Sequence, residues 1–96
     1  MHIITHRRLT EAMNRHADCG TALNQWYRIM KRACLADFAE LRNLFNSVDK
    51  VGDVYVFNVG GNKLRIIAAI HFNTSKVFIR HVLTHSEYDK GYWRTK

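Results

Sequence analysis

The chain has no proline, only two cysteines, and eight acidic residues against fifteen lysines and arginines. With no proline, Ser/Gly run, low-complexity tract or repeat of solenoid length, nothing marks a linker. The 96 residues are expected to form one domain, 1–96, around one modest core. Cys19 and Cys34 are too few for a disulfide scaffold, and their spacing matches neither a zinc pair nor a redox CxxC. They read as small, half-buried apolar residues in a reducing compartment. No apolar run approaches the roughly 20 residues needed to span a bilayer. The N-terminal segment Met1-His2-Ile3-Ile4-Thr5-His6-Arg7-Arg8 lacks the apolar stretch that follows the basic residues of a secretory signal. A cytoplasmic protein with no membrane partner is expected. No set of His, Cys, Asp and Glu has metal-ligand spacing, so neither a metal nor another cofactor is expected.

What is present in excess is positive charge. The formal net charge is +7, with eight cations and five acids in residues 1–50 and seven cations and three acids in residues 51–96. The whole domain is basic, not a neutral domain with a basic tail. Such a field concentrates phosphate and speeds encounter with it, but it carries no sequence information and would equally suit an acidic protein.

Periodicity gives the elements. Leu9, Ala12, Met13, His16 and Ala17 form the stripe of an amphipathic helix from about Arg7 to Ala17. Gly20 is expected as its left-handed stop, and Thr21 as the cap of a second helix with the stripe Leu23, Trp26, Tyr27, Met30 and Ala33. Asp37 should cap a third, shorter helix carrying Phe38, Leu41, Leu44 and Phe45, followed by a loop from Asn46 to Asp53. Strands are expected at Val54–Val59, Asn62–Phe72 and Lys76–Thr84, and residues 2–4 read as a brief edge strand. Gly60-Gly61 is a two-residue hairpin signal, which pairs Val59 with Asn62, Phe57 with Leu64 and Tyr55 with Ile66. A turn at Asn73-Thr74 sets Ile70 against Val77, Ala68 against Ile79 and Leu64 against Leu83. The opposite face then gathers Asn58, Lys63, Arg65, Arg80 and Thr84, with the three cations in one patch.

RNA carries its own nucleophile, the 2′-hydroxyl. A protein that cleaves it must align the strand, move two protons and stabilise charge on the phosphoryl oxygens. His85 and Tyr88, three residues apart where the last strand ends, are candidate proton carriers. Asp89 could orient the imidazole, and Lys90 adds charge. Each has a plainer reading: His85 as a rim residue continuing the parity of Val77, Ile79 and Leu83, Tyr88 as a packed anchor. His81 has core parity and reads as a buried imidazole, and His71 as solvent-facing. Arg28, Lys31 and Arg32 read as a solvated helix face, and Trp93 as folding back or meeting a partner. Gly60-Gly61 lacks the context of a phosphate loop.

The run Tyr55-Val56-Phe57-Asn58-Val59-Gly60-Gly61-Asn62-Lys63-Leu64-Arg65-Ile66-Ile67-Ala68, with Ile79-Arg80-His81-Val82-Leu83-Thr84-His85-Ser86-Glu87-Tyr88-Asp89-Lys90, closely resembles the HigB toxins of bacterial toxin–antitoxin modules. The likeness extends over essentially the whole chain. It implies an α+β, RelE-like fold, with two to three N-terminal helices packed on a small twisted antiparallel sheet of three to four strands. It implies a metal-independent endoribonuclease that cuts mRNA on the ribosome. Its partners would be a cognate helix-turn-helix HigA-type antitoxin and, only through that complex, operator DNA. By position, Arg65 resembles the mid-strand arginine that grips the phosphate, and His85 and Tyr88 the pair that transfers protons. Lys63, Arg80, Asn62 and Lys90 are the expected RNA contacts. A non-catalytic RNA- or ribosome-binding module, and a toxin of the same fold acting on a protein such as gyrase, are the competing readings.

Overall fold

A computed structural model describes residues 1–61 and 63–94. The chain begins with a short strand, β1 (His2–Ile4), and continues through helices α1 (His6–Arg15), α2 (Gly20–Arg32) and α3 (Phe38–Leu44). Strands β2 (Asp49–Val51), β3 (Val54–Val59), β4 (Leu64–His71) and β5 (Lys76–Thr84) follow, and a last helix, α4 (His85–Lys90), closes it. The sheet is five-stranded and mixed, in the order β1-β5-β4-β3-β2, with β1 parallel to β5 and every other pair antiparallel. The α+β class is as expected. Two strands more than the three central ones arise at the edges: β1 joins β5, and Asp49–Val51, read from sequence as loop, folds back on β3 through Gly52.

The helices form for the expected reasons, with different ends. Leu9 and Ala12 of α1, and Leu23, Trp26 and Met30 of α2, are buried. Gly20 is not a left-handed stop: its φ of −57° and ψ of −44° are helical, and it opens α2 directly after a 3₁₀ turn at Ala17–Cys19. Thr21 therefore lies inside the helix. Asp37 caps α3 as expected, accepting from the Glu40 amide at 3.0 Å. Trp26 and Phe45 both meet the fully buried Phe57 ring edge-on, at 5.2 Å between centroids, and Leu41, Val48, Leu64, Ile66 and Ile79 complete the core.

The register decides what the other face carries. In the first hairpin Val59 faces Leu64, Phe57 faces Ile66 and Tyr55 faces Ala68. This is two residues away from the pairing that a tight Gly60-Gly61 turn predicts, and a shift of two keeps every side chain on its face. The second hairpin starts as expected, with Ile70 opposite Val77 and Ala68 opposite Ile79. Ile67, however, faces His81, so Arg80 is an extra residue in β5, a β-bulge. Beyond it the parity reverses. Val82 turns to the helices and is 6% exposed, while His81 and Leu83 join the outer face with Ile67 and Arg65; Leu64 meets Thr84, not Leu83. His81 is thus not a core imidazole.

Thr5 holds the bulge in place. Its hydroxyl oxygen accepts from the Ile79 amide at 3.0 Å, and the hydroxyl lies 2.9 Å from the Ile79 carbonyl. To reach them Thr5 adopts a left-handed backbone with φ of 66°, a conformation that is uncommon for a residue other than glycine.

Candidate active site

The outer face ends in a rim built by β4, the end of β5 and α4. Thr84 caps α4 by a reciprocal pair of bonds: its hydroxyl accepts from the Glu87 amide at 3.2 Å, and the Glu87 carboxylate accepts from the Thr84 amide at 2.9 Å. These bonds hold the Glu87 carboxyl below its ordinary range, the backbone bond at Thr84 being the main cause. Six residues make a marginal helix, so this box matters to whether the turn forms at all. Gly91, with φ of 77°, ends it and reverses the chain.

One turn of helix then brings together residues three and four apart. His85 Nδ1 lies 2.9 Å from Asp89 Oδ2, so the carboxylate orients the imidazole and leaves Nε2 to exchange a proton. Tyr88, on the same turn, lies beneath Arg65: the guanidinium carbon is 5.4 Å from the ring centroid. Trp93 folds back after Gly91 and stacks on Tyr88, with centroids 5.0 Å apart and planes 15° from parallel, and its indole N–H donates to the Tyr88 carbonyl at 3.0 Å. The fold thus places Arg65 of β4 and Tyr88 of α4 in contact, with the His85–Asp89 pair on the same short helix. Lys90 and Trp93 line a pocket of about 290 Å³ over His81 and Leu83.

The expected patch of three cations does not form as one cluster. Arg65 stands on the outer face opposite Asn58 and Leu83. Lys63, in the β3–β4 connection, is held by Asp18 at 3.1 Å, beside the joint of α1 and α2. Their hydrogen bond and mutual attraction hold the Asp18 carboxyl low and the Lys63 amine high. Arg80, on the bulge, lines a separate groove with Arg8. Thr84 is drawn into the α4 cap, and Asn62 lies outside the described residues. Sequence reasoning missed two residues near the rim: Arg8, which sits in the first turn of α1, and His81, which the bulge turns outward. The one signal for the bulge is an Arg-His pair interrupting an apolar strand. Among the described residues no group of three His, Cys, Asp or Glu could hold a metal ion, and no helix is long and apolar enough to cross a membrane.

Helices α1–α3 on one face of the sheet and an Arg–Tyr–His–Asp rim at the C-terminal end of β5 make up a RelE-like α+β domain. A family model described as HigB_toxin, a RelE-like toxic component of a toxin–antitoxin system, matches residues 19–91. The mRNA interferase HigB of Escherichia coli O6:H1 (strain CFT073) is 36% identical over 93 residues, covering 94% of this chain and 90% of that protein. The mRNA interferase toxin HigB of Escherichia coli K12 and the mRNA interferase HigB of Shigella flexneri are each 36% identical over 92 residues, covering 93% of this chain and 88% of theirs. The chain belongs to the HigB toxin family.

Proposed function

We infer that this chain is the toxin of a type II toxin–antitoxin system and an endoribonuclease that cleaves mRNA. Family membership and the names of the related mRNA interferases support the activity. The observation that carries the site is an imidazole oriented by a carboxylate one helical turn away, with a phenol on the same turn under Arg65.

The chemistry is a transesterification. The RNA 2′-oxygen forms a bond to phosphorus while the bond from phosphorus to the 5′-oxygen breaks, leaving a 2′,3′-cyclic phosphate and a 5′-hydroxyl. One proton leaves the 2′-hydroxyl and another arrives at the 5′-oxygen. His85 Nε2 and the Tyr88 hydroxyl are the two carriers, Asp89 is the positioning residue for His85, and Arg65 stabilises charge on the phosphoryl oxygens. Lys90, at the end of α4, Lys63 and Asn62 add contacts to the strand. A basic domain of this kind acts on mRNA held by the cytoplasmic ribosome, and a helix-turn-helix HigA-type antitoxin neutralises it and carries the complex to operator DNA.

The test is brief induction in growing cells with mapping of transcript 5′ ends. Cuts at codon positions inside translated frames are expected. His85→Ala and Tyr88→Phe should each lower cleavage by roughly 10²- to 10⁴-fold, with an unchanged thermal midpoint. Asp89→Asn should lose less, because its amide oxygen still accepts from Nδ1. Tyr88→Phe keeps the ring under Arg65 and over Trp93, so full activity in that variant would reduce Tyr88 to a platform. Full activity in both His85→Ala and Tyr88→Phe would remove the rim from the chemistry.

A further inference from the structure

Beside the rim, the start of α1 and the bulge of β5 enclose a groove of about 470 Å³ lined by Arg8, Arg80, His71, His81, Phe78 and Thr5. No carboxylate lines it, and among the described residues neither Arg8 nor Arg80 has an ion-pair partner. The arginines come from distant parts of the chain. Arg8 is in the first turn of α1, where Arg7 and Arg8 stand with no acid against the positive end of the helix dipole. Thr5, which would cap that turn, makes no side-chain cap bond because its hydroxyl is spent on Ile79. The bulge brings Arg80 alongside His81, and the two stand together opposite Ile67. Partial burial first, and then both guanidiniums, hold the His81 imidazole below the ordinary range. Like charges gathered around a helix N-terminus oppose folding unless an anion joins them.

His81 also lines the pocket beneath Lys90 and Trp93, so the groove runs on from the outer face toward the rim. Along β5, Arg80 is three residues from Leu83, the partner of Arg65, which is about 10 Å of strand. We propose that this groove is a second phosphodiester subsite: Arg8 and Arg80 bind the backbone of the same RNA strand next to the linkage held at Arg65. The proposal rests on the rim being where RNA is cut, and it adds that the strand lies along β5 toward the start of α1.

Binding can be measured without cleavage by using fully 2′-O-methylated RNA, which lacks the attacking hydroxyl. The probes are a dinucleotide, with one phosphodiester, and an octanucleotide. Against the octanucleotide, Arg8→Gln and Arg80→Gln should each weaken binding roughly threefold to tenfold, and each should make the salt dependence shallower by about 0.7 in log–log slope. Dinucleotide affinity should stay within about twofold of wild type. Arg80→Lys, which keeps the charge, should recover most of the slope and guards against a variant that misfolds. Unchanged octanucleotide binding in both Gln variants overturns the proposal. Equal weakening of the dinucleotide also overturns it, by moving the arginines to the cleaved linkage. Retained octanucleotide binding with reduced cosedimentation on ribosomes overturns it in favour of ribosomal RNA. Failure of the wild-type protein to cut transcripts in cells would defeat the functional reading, and these binding results would be read separately.

Discussion

The two hairpins of the sheet do opposite work with the same strand. On its β3 side, β4 pairs without interruption from Leu64 to Ala68, and the facing residues Phe57 and Ile66 are fully buried. On its β5 side, the ladder is broken once, at Arg80, and the residues beyond the break supply His81 and Leu83 to the outer face and Thr84 to the cap of α4. The regular hairpin builds the core; the irregular one builds the candidate site. One extra residue re-aims every side chain after it, which is why bulges recur beside functional sites.

Substitutions in the regular hairpin should therefore act on stability. Phe57→Ala should have the largest effect, because it deletes a fully buried ring that Trp26 and Phe45 both contact. A loss of about 3–5 kcal/mol is expected from urea unfolding. A loss of only about 1 kcal/mol would mean that α2 and α3 collapse into the space, and that the core is less specific than its pairing suggests.

Next in size is the connection of that hairpin. Gly60 has φ of 67°, and a Cβ placed on it would lie 3.0 Å from Cys19 Sγ. Gly60→Ala combines a left-handed backbone with crowding against the 3₁₀ turn, for an expected loss of about 1–2 kcal/mol. Thr84→Ala belongs to the other hairpin. It removes the acceptor for the Glu87 amide and should cost about 1 kcal/mol. The discriminating readout is local: amide exchange should rise in residues 85–90 while β3 and β4 stay protected, and cleavage should fall with it because His85 and Tyr88 lose their support. A uniform rise in exchange would erase the division between the two hairpins.

The same contrast explains what could be read in advance. Alternation along Val54–Val59 and Leu64–Ile70 gave the core face, and a two-residue error in register did no harm because side chains repeat every second residue. The stripes of α1 and α2 gave their buried sides for a similar reason. The His85, Tyr88 and Asp89 spacing suggested a shared rim, and helical geometry at α4 supplies it. Alternation could not reveal an inserted residue. It put His81 and Leu83 inside and Arg80 beside Lys63, whereas the bulge turns the first two outward and Asp18 claims the lysine. The edge strand at Asp49–Val51 was hidden because its three residues are too few to show a period. The Arg8–Arg80 meeting depends on a tertiary contact through Thr5 that no local pattern encodes.

The smallest effect tests that meeting directly. His81 is held below the ordinary imidazole value of 6.5, first by partial burial, then by Arg8 and Arg80. As pH falls through that value, the unfolded chain takes up a proton that folded His81 resists. The unfolded state then binds more protons, so stability should decline from about pH 7 downward until the folded imidazole also titrates. The lowered carboxyls of Asp18 and Glu87 contribute stability that is lost in a separate, more acidic window, below their ordinary values of 3.8 and 4.5. Thermal midpoints taken between about pH 7.5 and 5.5 should therefore fall less steeply in His81→Gln than in wild type. Following the His81 ring by NMR sharpens the point: Arg8→Gln and Arg80→Gln should each move its titration up toward 6.5, Arg8→Gln by more. If neither variant moves it, burial alone sets the imidazole and the two arginines do not act on it.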